Sequence, residues 1–246
     1  MSGASLRIAI LSDIHALATT FRSALDAAAA EGFDHMVILG DLLGYGPEVA
    51  ETLSLAREAQ ETHKAALILG NHDQLYLDLD EGRDDYLSGL PDWIVEQARW
   101  THEALEGRSL STGLDWSKDL VVDDVLIAHA NPYDYGDWTY IRDDASARAA
   151  AAKLDECGFS AGIFGHVHRH REYDFDGLPR VVTVGSIGQP RTSGASVPQW
   201  AMATIGQGHI EVEPRPIDFD PASYKAMLAG TSLSAPTRAK LESFFA

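Results

Sequence analysis

Residues able to bind a metal or move a proton recur in short motifs along this 246-residue chain. Asp13 and His15 stand in "SDIH", Asp41 in "GDLLGYGP", and Asn71, His72 and Asp73 in "GNHD". His129 stands in "IAHANP", and His166, His168 and His170 alternate in "FGHVHRH". Alone, that last trio reads as one strand face offering three imidazoles to a single metal. The wider count changes this. Asp13, His15, Asp41, Asn71, His129, His166 and His168 offer two carboxylates, one amide oxygen and four imidazoles. A single transition metal takes only about four to six ligands, whereas two ions sharing a carboxylate can use them all. Mixed histidine and carboxylate ligation suits manganese first, with iron, zinc or nickel as alternatives, better than magnesium or calcium. Two such ions about 3.5–4 Å apart clamp a phosphoryl group and generate hydroxide from a bridging water. The chemistry would be phosphoester hydrolysis by in-line attack.

The elements that must position these residues follow from the hydrophobic pattern. "LRIAILS", "HMVILG" and "AALILG" read as strands. Helices fall between them near Thr19 to Glu31 and from Pro47 to Thr62, with Pro47 in a first turn. This order predicts parallel βαβ units with right-handed crossovers. From about 74 to 118 the pattern breaks into a helical, cap-like insertion within one domain spanning 1–246. Its acidic "DLDEGRDD" reads as loop and "PDWIVEQARWTHEAL" as an amphipathic helix. "LVVDDVLIAHA" predicts a hairpin turning at Asp123 and Asp124, followed by a helix near Asp143 to Glu156 and a strand at "SAGIFG". Antiparallel strands are expected in "REYDFDGLPRVVTVGS" and "QWAMATIGQGHIEVEP", and short helices after Pro221 and Pro236. Each candidate ligand thus follows a strand, and in parallel α/β sheets sites form beyond the carboxyl ends of strands.

Composition narrows the partners. With 19 basic and 37 acidic residues the net charge is −18, which disfavours non-specific binding to nucleic acids or anionic membranes. An anionic substrate then needs local positive charge, which two divalent ions would supply. Cys157 is the one cysteine, so neither an intrachain disulfide nor a thiolate-rich zinc site is available. The amino-terminal apolar run is too short for a signal peptide, so a cytoplasmic location is expected. Nothing in the sequence fixes an oligomeric state.

The order "SDIH", "LGDLLGYGP", "LGNHD", "IAHANP" and "FGHVH" resembles the calcineurin-like, binuclear metallophosphoesterase superfamily, with its D-x-H, G-D, G-N-H-[DE], lone H and G-H-x-H motifs. "GDLLGYGP" and "VGSIGQPR" extend the likeness to about Arg191 and to a branch of small bacterial phosphodiesterases. The resemblance implies an α/β (α+β) fold of two facing mixed β-sheets flanked by helices. It implies that Asp13, His15 and His168 hold one metal and Asn71, His129 and His166 the other, with Asp41 bridging. His72 would be the general acid for the leaving oxygen, with a dimetal-bound hydroxide as nucleophile.

Departures bear on substrate choice. Ala16 and Leu17 replace the usual Gly-Asn, Ala130 replaces Gly, and Thr183-Val184 replaces the branch's Asn-Pro. Gly44-Tyr45-Gly46 and Leu69 stand where the Ser/Thr protein phosphatases carry arginines, so the guanidinium forks suited to phosphomonoester dianions are missing. The carboxylate that usually orients the acid histidine is absent there as well, and whether Asp73 substitutes is open. Tyr45 could stack on a nucleobase or simply pack, and Arg191 could bind phosphate or hold structure. Trp93, Trp100 and Trp116 fit a lid or a core-covering helix. His35, His63, His102, His170 and His209 read as surface or helix residues. The sequence thus predicts a phosphoesterase acting on a small phosphodiester or phosphoanhydride, with a nucleotide as one candidate. An asymmetric dinucleoside polyphosphate hydrolase and a non-catalytic interaction scaffold, a role this fold serves in retromer, are the alternatives.

Overall fold

The computed structural model describes residues 5–191, 197–206 and 209–245. The first half alternates as the periodicity predicts: β1 (Leu6–Leu11), α1 (Ala18–Glu31), β2 (His35–Leu39), α2 (Val49–His63) and β3 (Ala66–Ile68). β1, β2 and β3 pair in parallel. One boundary moves: α2 starts at Val49, and Pro47 lies ahead of it, not in its first turn. The backbone before Val49 is committed elsewhere, with Gly46 donating to the His15 carbonyl and Glu48 to that of Ala16.

Between β3 and the short β4 (Trp116–Ser117) lie α3 (Asn71–Asp80) and α4 (Asp92–Ala104). α3 claims Asp78 to Asp80, so the first part of the acidic stretch expected as loop is helical. β5 (Asp119–Val122) and β6 (Val125–Ala128) form the predicted hairpin. α5 (Asp144–Cys157) is capped by Asp143, whose carboxylate accepts from the Ser146 amide. β7 (Ala161–Phe164), β8 (Arg171–Tyr173), β9 (Arg180–Thr183), β10 (Gln199–Gly206) and β11 (His209–Pro216) follow, and α6 (Pro221–Ala229) and α7 (Ala235–Glu242) close the chain.

The strands form two mixed sheets, ordered β11-β10-β1-β2-β3-β4 and β5-β6-β7-β9-β8. β9 pairs antiparallel with β8 but parallel with β7, a partner the sequence pattern did not indicate. Strand alternation explains the layers. Ile8, Ile10, Val37 and Leu39 face Ile127, Ile163 and Val182 of the second sheet, while Ala9, Leu11, Met36 and Ile38 face α1 and α2. α5 covers the outer face of the second sheet through Ala147, Ala150 and Leu154. Each buried Ile, Leu, Val or Met among these contributes about 1.5–3 kcal/mol by leaving water. The two sheets are thereby locked face to face, with their strand ends at one rim.

Candidate metal centre

That rim collects the predicted residues from five segments. Asp13 and His15 follow β1, Asp41 follows β2, and Asn71 opens α3. His129 follows β6, and His166 and His168 follow β7. All seven are buried. The chain reaches this arrangement with left-handed backbone at Asp13, His15, Asp41, His166 and His168, where φ runs from 49° to 64°. Each such residue costs about 1–3 kcal/mol, a strain typical of functional sites. Interlocked loops hold them there. Asp13 donates its amide to the Gly40 carbonyl, His15 to Asp41, Gly165 to His129 and Gly188 to Asp13. Two glycines make room: a β-carbon on Gly70 would lie 2.2 Å from Asp41 Oδ1, and one on Gly44 2.6 Å from His72 Nδ1.

Ligand atoms fall into two groups that meet at Asp41. Asp13, His15, Asp41 and His168 form one, Asp41, His129 and His166 the other, and the atoms within each lie within 4.8 Å of one another. Asn71 belongs with the second, its Oδ1 3.3 Å from His129 Nε2. The structure thus brings the seven residues together in two sets that share one carboxylate. "FGHVHRH" is a turn with positive φ at two histidines, so it divides them between groups and does not present a strand face. His170 joins neither and sits 3.2 Å from Glu172.

Hydrogen bonds show which nitrogen each ring offers. His15 Nδ1 donates to the Leu43 carbonyl at 3.2 Å, His168 Nδ1 to Gln189 at 2.7 Å, and His129 Nδ1 to Leu39 at 2.8 Å. Their Nε2 lone pairs therefore point inward. His166 is reversed. Its Nε2 donates to the Trp138 carbonyl at 3.0 Å, leaving Nδ1 as the inward atom. Acceptors consequently face acceptors: His15 Nε2 lies 3.2 Å from His168 Nε2, which lies 3.1 Å from Asp13 Oδ1. Only a cation or a proton satisfies such a set, and the donor types fit divalent transition metals.

The electrostatics agree. Burial alone would raise both carboxyls, but His168 holds Asp13 low, and His129 with His72 holds Asp41 low. Burial pushes His166 down to about 3 and His15 well below its ordinary value, keeping both rings neutral. His129 goes the other way: burial is outweighed by Asp41, and the ring is pushed up to about 10.

Asp73 does not orient His72. Its carboxylate accepts from the backbone amides of Asp41 at 2.8 Å, Leu42 at 2.9 Å and Gly70 at 2.9 Å, tying the second loop to α3. Burial and the nearby Asp41 charge raise it to about 7. His72 instead donates its amide to Asp41 Oδ1 at 2.9 Å, and its Nε2 lies 3.1 Å from Tyr45 Oη. Tyr45 is therefore a neighbour of the candidate acid and rests on Trp93, ring centroids 5.9 Å apart. Trp100 shares that packing with the C-terminal helices, whereas Trp116 lies in β4 and donates to the Leu110 carbonyl. Arg191 sits at the rim with its amide donating to the His168 carbonyl. Sequence reasoning missed Tyr140, stacked on His166 at 4.0 Å, and Tyr86, whose hydroxyl lies near Asn71. Neither falls in a motif, so only the folded chain reveals them.

Two facing mixed sheets with paired donor sets at their rim define a metallophosphoesterase-type architecture. The family model for calcineurin-like phosphoesterases matches residues 6–170, and the chain belongs to that family. It is similar to an uncharacterised protein of Methanocaldococcus jannaschii, 26% identical over 205 residues, covering 75% of this chain and 77% of that one. Among solved structures it is similar to a metallophosphoesterase from Sphaerobacter thermophilus (TM-score 0.73, 21% identity, 98% of this chain and 100% of that chain). A hypothetical protein from Pyrococcus horikoshii is also similar (TM-score 0.78, 18% identity, 96% and 97%). Among the described residues, no helix is long and apolar enough to cross a membrane.

Proposed function

We propose that the chain hydrolyses a phosphodiester or phosphoanhydride of a small molecule, a nucleotide being the first candidate, with two divalent transition metals as cofactors. The reading rests chiefly on the two donor groups that share Asp41, with their acceptor atoms turned toward each other. Manganese is the metal we would expect, and the cytoplasm the compartment. Bound there, two cations would clamp the phosphoryl group and acidify the attacking water. Asp13, His15 and His168 would hold one ion, Asn71, His129 and His166 the other, and Asp41 both. His72 would give the leaving oxygen its proton as the imidazolium, with its Nε2 3.1 Å from Tyr45 Oη. Burial pushes Tyr45 up and His72 down, so at neutral pH both are uncharged and His72 must take up a proton before it can act as the acid. The segment 74–118 acts as a cap, reaching the site through Tyr86 and Trp93.

The test is hydrolysis of bis(4-nitrophenyl) phosphate by the manganese-loaded full chain, with metal content measured in parallel. We expect metal-dependent turnover and about two ions per chain. Turnover that survives chelation refutes the reading, and fewer than about one bound ion favours the interaction scaffold. Chromatography of the products from diadenosine tetraphosphate separates a general phosphodiesterase from an asymmetric dinucleoside polyphosphate hydrolase.

A further inference from the structure

The chain's arginines are not treated alike. In a protein of net charge −18, Arg7, Arg22, Arg83, Arg99, Arg108, Arg180 and Arg215 each pair with a carboxylate. Of the others, Arg57, Arg148 and Arg238 turn to carbonyls or a ring elsewhere, whereas Arg142, Arg169, Arg171 and Arg191 line one open cavity of about 380 Å³ together with Ile141 and Val167. Among the described residues none of the four has a carboxylate within ion-pair distance, although the Arg142 charge is felt by the neighbouring Asp143. Arg191 donates to Gln189 Oε1 at 3.1 and 2.6 Å, Arg169 to the Arg191 carbonyl, and Arg142 stacks 4.7 Å from the centre of the Tyr140 ring. Four like charges gathered around one space repel each other, and an acidic protein has carboxylates to spare for offsetting them. Here they are left facing a cavity.

That cavity is the outer wall of the candidate metal centre. Tyr140 lies flat on His166 at 4.0 Å and 17°, while its other neighbour is Arg142. Val167 sits between His166 and His168, and the Arg191 amide holds the His168 carbonyl at 3.2 Å. Thr183 Oγ1, at a position where this chain departs from its branch, donates to the Arg169 carbonyl at 2.8 Å and fixes the loop that carries that arginine. The Arg191 charge also acts on Tyr45 and His72, so this residue borders both spaces.

We propose that the arginine-lined cavity binds a phosphate that the substrate carries in addition to the one being cleaved. The substrate class is then small molecules with two or more phosphates, in a chain or on separate positions. Guanidinium groups suit this because their planar forks bind phosphate oxygens bidentately and stay charged at any working pH. The proposal rests on the phosphoesterase reading, so its test is built to fail separately.

Calorimetry would titrate inorganic tripolyphosphate into chelator-treated full chain. We expect binding that weakens with salt and at least tenfold with the double substitution Arg142→Gln and Arg171→Gln, while Arg142→Lys with Arg171→Lys recovers part of it. In manganese-loaded chain, the same Gln pair should lower the ratio of kcat/KM for diadenosine tetraphosphate over bis(4-nitrophenyl) phosphate at least tenfold. No tripolyphosphate binding by the wild type, or equal binding by the Gln pair, overturns the site. Lost binding with an unchanged ratio overturns the substrate assignment and leaves a site for free anions. Arginine-dependent binding in a chain that hydrolyses neither compound upholds the anion site and refutes the phosphoesterase reading.

Discussion

The two sheets bring different chemistry to the same rim. The six-stranded sheet delivers every oxygen donor, from Asp13, Asp41 and Asn71, together with one imidazole, His15. The five-stranded sheet delivers only imidazoles, from His129, His166 and His168. The first half is buried negative charge that needs a counter-ion. The second is a set of rings oriented by backbone carbonyls, each with its other nitrogen turned inward. Neither half is a metal site alone. The apolar layer between the sheets, Ile8, Ile10 and Val37 against Ile127, Ile163 and Val182, sets their separation and so completes both donor groups.

Removing the joint between the halves should have the largest effect. Asp41→Asn is expected to lower manganese-dependent hydrolysis by about 10³-fold or more, because Asp41 serves both donor groups. Full activity in that variant would show that the halves work without a shared carboxylate. Next comes the imidazole half. His168→Ala should lose bound manganese, whereas His170→Ala, engaged with Glu172 outside both groups, should keep it. Equal loss of metal from both would mean that the loop is divided wrongly.

A smaller effect is expected from a residue on the oxygen side that binds no metal in this scheme. His72→Ala should leave manganese content intact and lower kcat by about 10²-fold, the lower range for a lost general acid. The loss should be steeper for alkyl than for nitrophenyl leaving groups, which need little protonation. A uniform loss across leaving groups would make His72 a positioning residue. The gentlest probe is pH. His129 carries a proton below about 10 because Asp41 and Asp13 outweigh its burial. A cation must displace that proton, so manganese affinity should rise with pH, by up to tenfold per unit for one proton released. Calorimetry in buffers of different ionisation enthalpy would count the protons. An affinity that does not change between about pH 6 and 8 would place His129 outside the ligand set.

Much of this was legible in the chain itself. Apolar runs of strand length, each ending in Asp, Asn or His, indicated parallel units with their polar residues at one edge. The alanine-rich run after Asp143 announced α5 as plainly. Asn71-His72-Asp73 was harder, since the same residues suit a turn or a helix start. The fold resolves it by placing the Asp73 carboxylate on three backbone amides, two of them about thirty residues away in sequence. The parallel pairing of β9 with β7, the Tyr45 contact with His72 and the reversed ring of His166 were likewise invisible.

What the sequence determined by itself is the inventory: donor types, their number, and the strand ends that carry them. Those follow from side-chain chemistry and from periodicities of two and 3.6 residues, which are local. The tertiary structure decided the partition of donors between two groups, which nitrogen each histidine offers, and which arginines meet no carboxylate. Those depend on distances across the space between the sheets, and the packed core sets such distances. The "FGHVHRH" loop shows the division. Its composition promised metal chemistry, and its left-handed turn, held against Trp138, Tyr140 and Gln189, assigned each ring its place.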